Sequence, residues 1–197
     1  MLAKDVNLKE KIDLELIYTL ANNSINEDYI IKLIELTKQK IFIENIPNDK
    51  TKIIKYVIDN NLSEQNKNYI IENFKNFNLK EYFLDKLEYI NELSTLDNNM
   101  LNDDLMEYAL KYDEIYLETK IDLIITKIRN HTESSKIQKY IQLVNQISKL
   151  SNIFNNGRLS IKDIGDYNKR IVDALVDYEY AKITKNDNLV FNKNIKL

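Results

Sequence analysis

The side chains that most often carry catalysis are scarce in this sequence. His131 is the only histidine among 197 residues, and there is no cysteine. Thiolate metal sites, disulfides and paired-histidine metal sites are therefore excluded. Ser134 and Ser135 lie near His131, but a hydrolase triad is defined by spatial roles and nothing supplies its third member. We expect His131 to be an exposed residue at a helix boundary.

Three carboxylates, Glu114, Glu118 and Asp122, recur every four residues, which would place them on one face of a helix. Carboxylates arranged in this way can bind Mg²⁺ or share a proton. The commoner arrangement is a solvated face with lysines nearby, here Lys111, Lys120 and Lys127. We expect the commoner arrangement, and hence no metal site, no cofactor site and no catalytic residue. The chain is therefore predicted not to be an enzyme.

Tyrosines at the same four-residue spacing offer a candidate binding surface. Tyr108, Tyr112 and Tyr116 would form an aromatic stripe along a helix. Tyrosine suits partly wet surfaces such as interfaces, because its ring is apolar and its hydroxyl is polar. A half-buried packing stripe explains the spacing at least as well. We take the three tyrosines as the candidate protein-binding surface.

Helices must position these residues, since the sequence is poor in the residues that turns and sheets use. It has two glycines and one proline, and 44% of its residues are hydrophobic. Apolar side chains recur every three or four residues up to about residue 156. The segment 102–130 contains no helix breaker, so it is predicted to form one long helix or two helices joined near Asp113. The excess of Ile, Asn, Lys and Tyr, which have AT-rich codons, is typical of a low-GC bacterium or phage.

Three tyrosines also recur with a longer period, of about forty residues. Tyr29, Tyr69 and Tyr108 are 40 and 39 residues apart. Each follows a potential helix-capping residue by six positions: Asn23, Ser63 and Asn102. Such a period suits stacked helix pairs of the HEAT type. An irregular helical bundle would satisfy the same local patterns, and both architectures remain open.

The last forty residues differ from the rest. We divide the chain into a helical domain, 1–156, and a small C-terminal module, 157–197. A helix from Asp166 to about Glu179 is followed by alternating residues around Asn186 and Asp187, which predicts a β-hairpin. A helix followed by a hairpin is the closing half of a winged helix-turn-helix. Lys182 and Lys185 near the hairpin are candidate phosphate contacts, although acidic residues on the preceding helix repel a DNA backbone.

Several segments of this terminal half resemble a known family. They are Lys120–Ile124, Leu159–Asp163, Asn168–Leu175 and Tyr180–Ile183. Over about the last eighty residues the chain resembles the C-terminal helical-repeat region of YobI-like P-loop NTPases. The resemblance implies a repeat module that serves a larger ATPase, or a detached relative. The nucleotide-binding part of that family is absent from this sequence, so no nucleotide-binding residue can be transferred.

Charge and hydropathy predict the environment in which the chain works. The net charge is −3, from 28 basic and 31 acidic residues, which gives no overall attraction to nucleic acid or anionic lipid. No apolar run approaches the length of a membrane span, and the first residues do not form a signal sequence. We therefore expect a soluble cytoplasmic protein.

The function predicted from the sequence is a non-catalytic helical scaffold that binds another protein. Two alternatives remain open at this point. One is a DNA-binding regulator with a C-terminal winged-helix element. The other is a phage or mobile-element inhibitor of a host defence enzyme.

Overall fold

A computed structural model of the chain describes residues 13–23, 25–60, 62–162 and 164–192. Within these residues it contains ten α-helices and three short β-strands, which confirms the predicted helical fold with a small C-terminal β element. The chain divides into two compact units, Met1–Lys86 and Leu87–Leu197. The predicted domain boundary between residues 156 and 157 stays a prediction. None of the described helices combines the length and the apolar character needed to cross a membrane.

The first unit is built from short helices joined by tight connections. Their bounds are α1 Leu14–Asn22, α2 Glu27–Thr37, α3 Thr51–Asn60, α4 Glu64–Glu72 and the greater part of α5 Lys80–Tyr89. Two 3₁₀ turns, Ile43–Asn45 and Phe74–Asn76, lie between them. The buried side chains are mostly isoleucines spaced by helical turns, as the apolar period predicts.

The forty-residue period of the tyrosines does not correspond to equivalent helix starts in the structure. Ser63 and Asn102 are N-cap residues, and their side-chain oxygens accept backbone N–H bonds in the first turn. Asn23 instead follows the end of α1, and the N-cap of α2 is Asn26. Tyr29 therefore lies three residues after its cap, whereas the two later tyrosines lie six residues after theirs. The three tyrosines thus do not occupy equivalent positions in their helices.

A buried amide fixes the connection between α2 and α3. Asn66 on α4 is 1% exposed. Its Oδ1 accepts the N–H of Ile43 at 2.9 Å, and its Nδ2 donates to the carbonyl of Ile41 at 2.9 Å. Ile41 and Ile43 are both buried, so this amide satisfies polar backbone groups that water cannot reach. One side chain therefore holds a non-helical segment against α4.

We expect Asn66→Ala to lower the free energy of unfolding of this unit by about 2–4 kcal/mol, since two buried backbone groups lose their partners. Asn73→Ala is the matched control, because Asn73 is an exposed residue whose side-chain amide donates within one turn, to the carbonyl of Tyr69. Urea unfolding followed by circular dichroism measures both. Equal effects of the two substitutions would contradict this role for Asn66.

The second unit contains the remaining elements of the described chain. After a 3₁₀ turn at Leu93–Thr95 come α6 Asp103–Lys111, α7 Leu117–Arg129, α8 Ser134–Leu143, a 3₁₀ turn at Ser148–Ser151, α9 Asn152–Asn156, β1 Arg158–Ser160, α10 Asp166–Asp177, β2 Ala181–Ile183 and β3 Asn188–Phe191. The segment 102–130 forms two helices, as the alternative with a junction near Asp113 predicts.

Helix α7 is the centre of this unit. It packs against α6, α8, α10 and the turn at Leu93–Thr95. Seven of its 13 residues are buried, and they do not lie on a single face: Lys120, Ile121, Leu123, Ile124, Ile125, Lys127 and Ile128. A helix that is buried on several sides needs neighbours on each of them.

The three strands form an antiparallel sheet in the order β1-β3-β2. The predicted hairpin is confirmed, with Ala181 opposite Phe191 and Ile183 opposite Leu189. β1 was not predicted. It pairs Arg158 with Val190 on the other edge of β3. Its three residues are too few to show a periodic pattern, and its pairing spans about thirty residues of sequence.

A hydrogen-bonded carboxylate joins α6 to α8. Asp103 accepts the hydroxyl of Tyr140 at 2.8 Å and the ammonium of Lys136 at 2.7 Å. The Lys136 bond is the largest influence and lowers the pKa of Asp103 below 3.8; burial opposes it and the Tyr140 bond reinforces it. Asp103 also begins α6, where a negative charge is favourable.

We expect Asp103→Asn to destabilise the protein at neutral pH by less than about 1 kcal/mol, since the half-exposed pair is screened by solvent. The pKa of Asp103 is lower in the folded chain than in the unfolded chain, so the contribution of its charge to stability is complete above pH 3.8. This contribution is lost as the pH falls through the pKa of the folded state. Thermal unfolding of both proteins at several pH values tests this. Asp104→Asn, one position along the same helix, is the control and should show a smaller pH-dependent difference.

Candidate binding cleft

The three candidate tyrosines do not form one helical stripe. Helix α6 ends at Lys111, and α7 begins at Leu117, so the stretch from Tyr112 to Tyr116 is a non-helical connection. Tyr108 and Tyr112 are half-buried, with ring centroids 6.3 Å apart. Tyr116 is 72% exposed. Of the three, Tyr116 thus offers the most surface to a partner.

Tyr116 lines a cleft with a volume of about 470 Å³. Two stretches of chain form its walls: the connection from α6 to α7, and residues 143–146 at the end of α8. Lys120, on the first turns of α7, also lines it. We call this space the Lys120 cleft. Its surface is mainly polar, so it does not suit a purely apolar ligand.

The lysine in this cleft is buried, and no described residue hydrogen-bonds to its ammonium or forms an ion pair with it. Lys120 is 9% exposed. Among the described residues, none accepts a hydrogen bond from its ammonium or forms an ion pair with it. Every described side-chain nitrogen or oxygen that is fully enclosed does have a hydrogen-bond partner, so the ammonium of Lys120 is not fully enclosed. The ammonium must therefore reach the solvent of the cleft. Burial lowers the pKa of Lys120, and the charge of Asp113 opposes this shift in part.

A second lysine on the same helix provides a comparison. Lys127 lies two turns after Lys120, on nearly the same side of α7, and is 6% exposed. Its ammonium donates to the Asn98 carbonyl oxygen at 3.3 Å and to Asn98 Oδ1 at 2.7 Å. Burial lowers its pKa too, and Asp103 opposes this. One of the two buried ammonium groups is therefore satisfied by the protein, and the other faces the cleft.

The acidic trio separates in the structure. Glu114 lies in the connection between helices, whereas Glu118 and Asp122 both pair with Arg170 on α10. The Glu118 oxygen lies 3.7 Å from the Arg170 Nη1 atom. The two helical carboxylates thus attach α10 to α7. They were predicted to lie on a solvated face; the Glu118 side chain is 72% exposed, whereas Asp122 is half-buried. No local pattern indicates their partner, which is 48 residues away from Asp122.

The lysines expected on that face are placed differently, and this is a correction. Lys120 and Lys127 are buried, because they lie four residues before and three residues after Ile124, in phase with the apolar side of α7. The charge suggested solvent exposure, but the helical phase determines the side on which they lie. The signal for Lys120 was therefore present in the sequence as a lysine at a core position.

In the C-terminal module, Lys182 and Lys185 are exposed at and beside the hairpin. The neighbouring helix α10 buries its apolar side and exposes Asp166, Asp173 and Asp177. Acidic residues on the solvent side of this helix repel phosphate groups. The two lysines are therefore accessible, but their surroundings are not those of a basic DNA-binding surface.

Neither a family model, nor a curated protein, nor a solved structure matches this chain. The resemblance to YobI-like NTPases consequently rests on the quoted segments alone. One of their residues, Asp163, lies outside the described part of the chain.

The two lysines lead to opposite expectations for stability. We expect Lys120→Met to raise the free energy of unfolding by about 1 kcal/mol, because it replaces an unpaired buried charge by an apolar side chain of similar length. Lys127→Met should lower it by about 1 kcal/mol, since the Asn98 oxygens lose their donor. Thermal unfolding should separate the variants, with shifts of about 2–4 °C in opposite directions.

The pH dependence of stability tests whether the buried charge of Lys120 is the cause of its expected effect. The pKa of Lys120 is lower in the folded protein than in the unfolded chain, where this pKa is near 10.5. The gain from Lys120→Met should therefore be largest below the folded pKa and should shrink as the pH rises toward 10.5. A loss of stability in Lys120→Met at neutral pH would show that this lysine supports the fold instead.

Proposed function

We propose that the chain is a non-catalytic helical scaffold that binds another protein through the Lys120 cleft. The observation that carries the proposal is the 72% exposure of Tyr116 where it lines the cleft. A tyrosine in this position can bury its ring against a partner and keep its hydroxyl bonded. Tyr108 and Tyr112 are half-buried, with their rings in contact with each other, and they do not line the cleft.

The composition of the cleft supports a polypeptide as the ligand. Asn145 and Gln146 are exposed along one wall, and their amides can both donate to and accept from a peptide backbone. Val144 and Ile115 also line the cleft but are almost fully buried, so the surface that a ligand meets is mainly polar. Directional hydrogen bonds of this kind are ones that a peptide backbone can satisfy.

The alternative functions have less support. Among the described residues, the exposed hairpin lysines favour DNA binding, and the acidic side of α10 opposes it. The inhibitor role has no feature of its own in the described structure. A role as a module or relative of a larger P-loop NTPase is compatible with the proposed scaffold, and the sequence resemblance supports it.

Partner capture with matched tyrosine variants tests the proposal. The tagged chain is used as bait in a lysate of the source organism, and the partner it retains is then purified and titrated. We expect Tyr116→Ala to weaken the binding of that partner by about tenfold or more, as expected for a central interface tyrosine.

Tyr89→Ala is the control, because Tyr89 is also an exposed tyrosine, at 83%, and does not line the cleft. It should leave the affinity unchanged. If every partner bound Tyr116→Ala as tightly as the unaltered chain, the assignment of the binding surface to this cleft would be wrong.

A further inference from the structure

The start of helix α7 adds a second positive element to the cleft. The N-cap residue is Tyr116, and no side chain caps the helix. The first backbone bond of the helix runs from the N–H of Lys120 to the carbonyl of Tyr116. The N–H groups of residues 117–119 make no such bond among the described residues. A helix of 13 residues concentrates partial positive charge at these groups.

The lysine and the helix start act in the same direction. Side chains on an α-helix lean toward its N-terminus, so the stem of Lys120 runs back along the first turn. Tyr116, Leu117 and Lys120 all line the cleft. Lys120 is nine-tenths buried, and its ammonium, which has no partner in the described structure, opens into the cleft that Tyr116 and Leu117 at the helix start also line. This combination favours an anion.

We propose that the Lys120 cleft binds a carboxylate, supplied by an Asp or Glu side chain of the partner protein; this rests on the proposed function. The carboxylate accepts from the Lys120 ammonium and from the N–H groups of the first turn of α7. It thereby adds charge-assisted hydrogen bonds to an ammonium that otherwise reaches only the solvent of the cleft.

The charges around the cleft favour a carboxylate over a phosphate group. Lys120 supplies one buried positive charge, and Asp113 and Glu114 place two negative charges on the same cleft. A doubly charged phosphate would be repelled more strongly by these carboxylates than a singly charged acid. The same two residues favour a basic residue next to the acid in the partner sequence. Lys111, Asp113 and Glu114 are all exposed on the wall, so solvent screens the three charges alike, and together they leave the wall one negative charge in excess.

Sodium acetate is the smallest probe of this site. The full chain is labelled with ¹³C-lysine and ¹⁵N, and its NMR signals are followed as acetate is added against sodium chloride of equal ionic strength. We expect a saturable shift of the Lys120 side-chain signal and of the amide signals of residues 117–119. The Lys127 signal should stay in place, because Asn98 already occupies its ammonium. Lys120→Met should raise the half-saturating acetate concentration at least tenfold.

Three results would overturn the inference. One is an acetate response that is no larger than the chloride response. Another is equally tight saturable binding of inorganic phosphate, which would remove the preference for a carboxylate. The third is an unchanged acetate response in Lys120→Met, whose fold is checked by its thermal unfolding. Lys149→Met, at an exposed position that does not line the cleft, controls for the loss of one positive charge and should bind acetate normally.

The purified partner separates this inference from the proposed function. If Tyr116→Ala loses the partner and Lys120→Met keeps it within twofold, the carboxylate inference fails and the protein-binding role stands. If Lys120 binds acetate but Tyr116→Ala keeps every partner, the carboxylate site stands and its assignment to a partner protein fails. Loss of the partner in both variants, with acetate binding in the unaltered chain, supports both.

Discussion

Burial of α7 on several sides is the constraint on which the second unit depends. Ile121, Ile124 and Ile128 are fully buried, and each such side chain contributes about 1.5–3 kcal/mol when removed from water. This gain requires α6, α8 and α10 to cover different sides of one helix. The ion pairs of Arg170 with Glu118 and Asp122 add contacts between α10 and α7 at the partly exposed edge of this packing. The small sheet follows, because β2 packs against α10 and pairs with β3.

Because of the same constraint, a charged side chain on the buried side of α7 lowers stability unless it is hydrogen-bonded. The ammonium of Lys127 is hydrogen-bonded inside the protein by the two oxygens of Asn98. Among the described residues Lys120 has no such partner, and its ammonium reaches the solvent of the cleft. A residue that lowers the stability of the free protein but can bind a ligand is the arrangement expected of a binding site. The proposed preference of the cleft for a carboxylate rests on this difference between the two lysines, more than on the exposure of Tyr116.

The sequence predicts local structure well and the positions of charges poorly. Helical periods, the N-caps Ser63 and Asn102 and the hairpin turn at Asn186 and Asp187 depend on neighbouring residues, and each is present in the structure. The break after Lys111 has no glycine or proline to mark it, so the tyrosine spacing suggested a continuous stripe. The partners of Glu118 and Asp122 come from another helix, and no local pattern indicates a contact over such a distance. Lysines were assigned to solvent by their charge, although their helical phase placed them inside.

The abundance of lysine in this chain does not account for one that stays buried without a hydrogen-bond or ion-pair partner in the described structure. A buried ammonium without such a partner lowers stability wherever it lies. Lysines at exposed positions, such as Lys185, have little consequence for stability. At Lys127 the destabilisation is offset by the oxygens of Asn98. At Lys120 the charge of Asp113 offsets it only in part. An anion bound at Lys120 would therefore offset a destabilisation that the other two lysines do not carry.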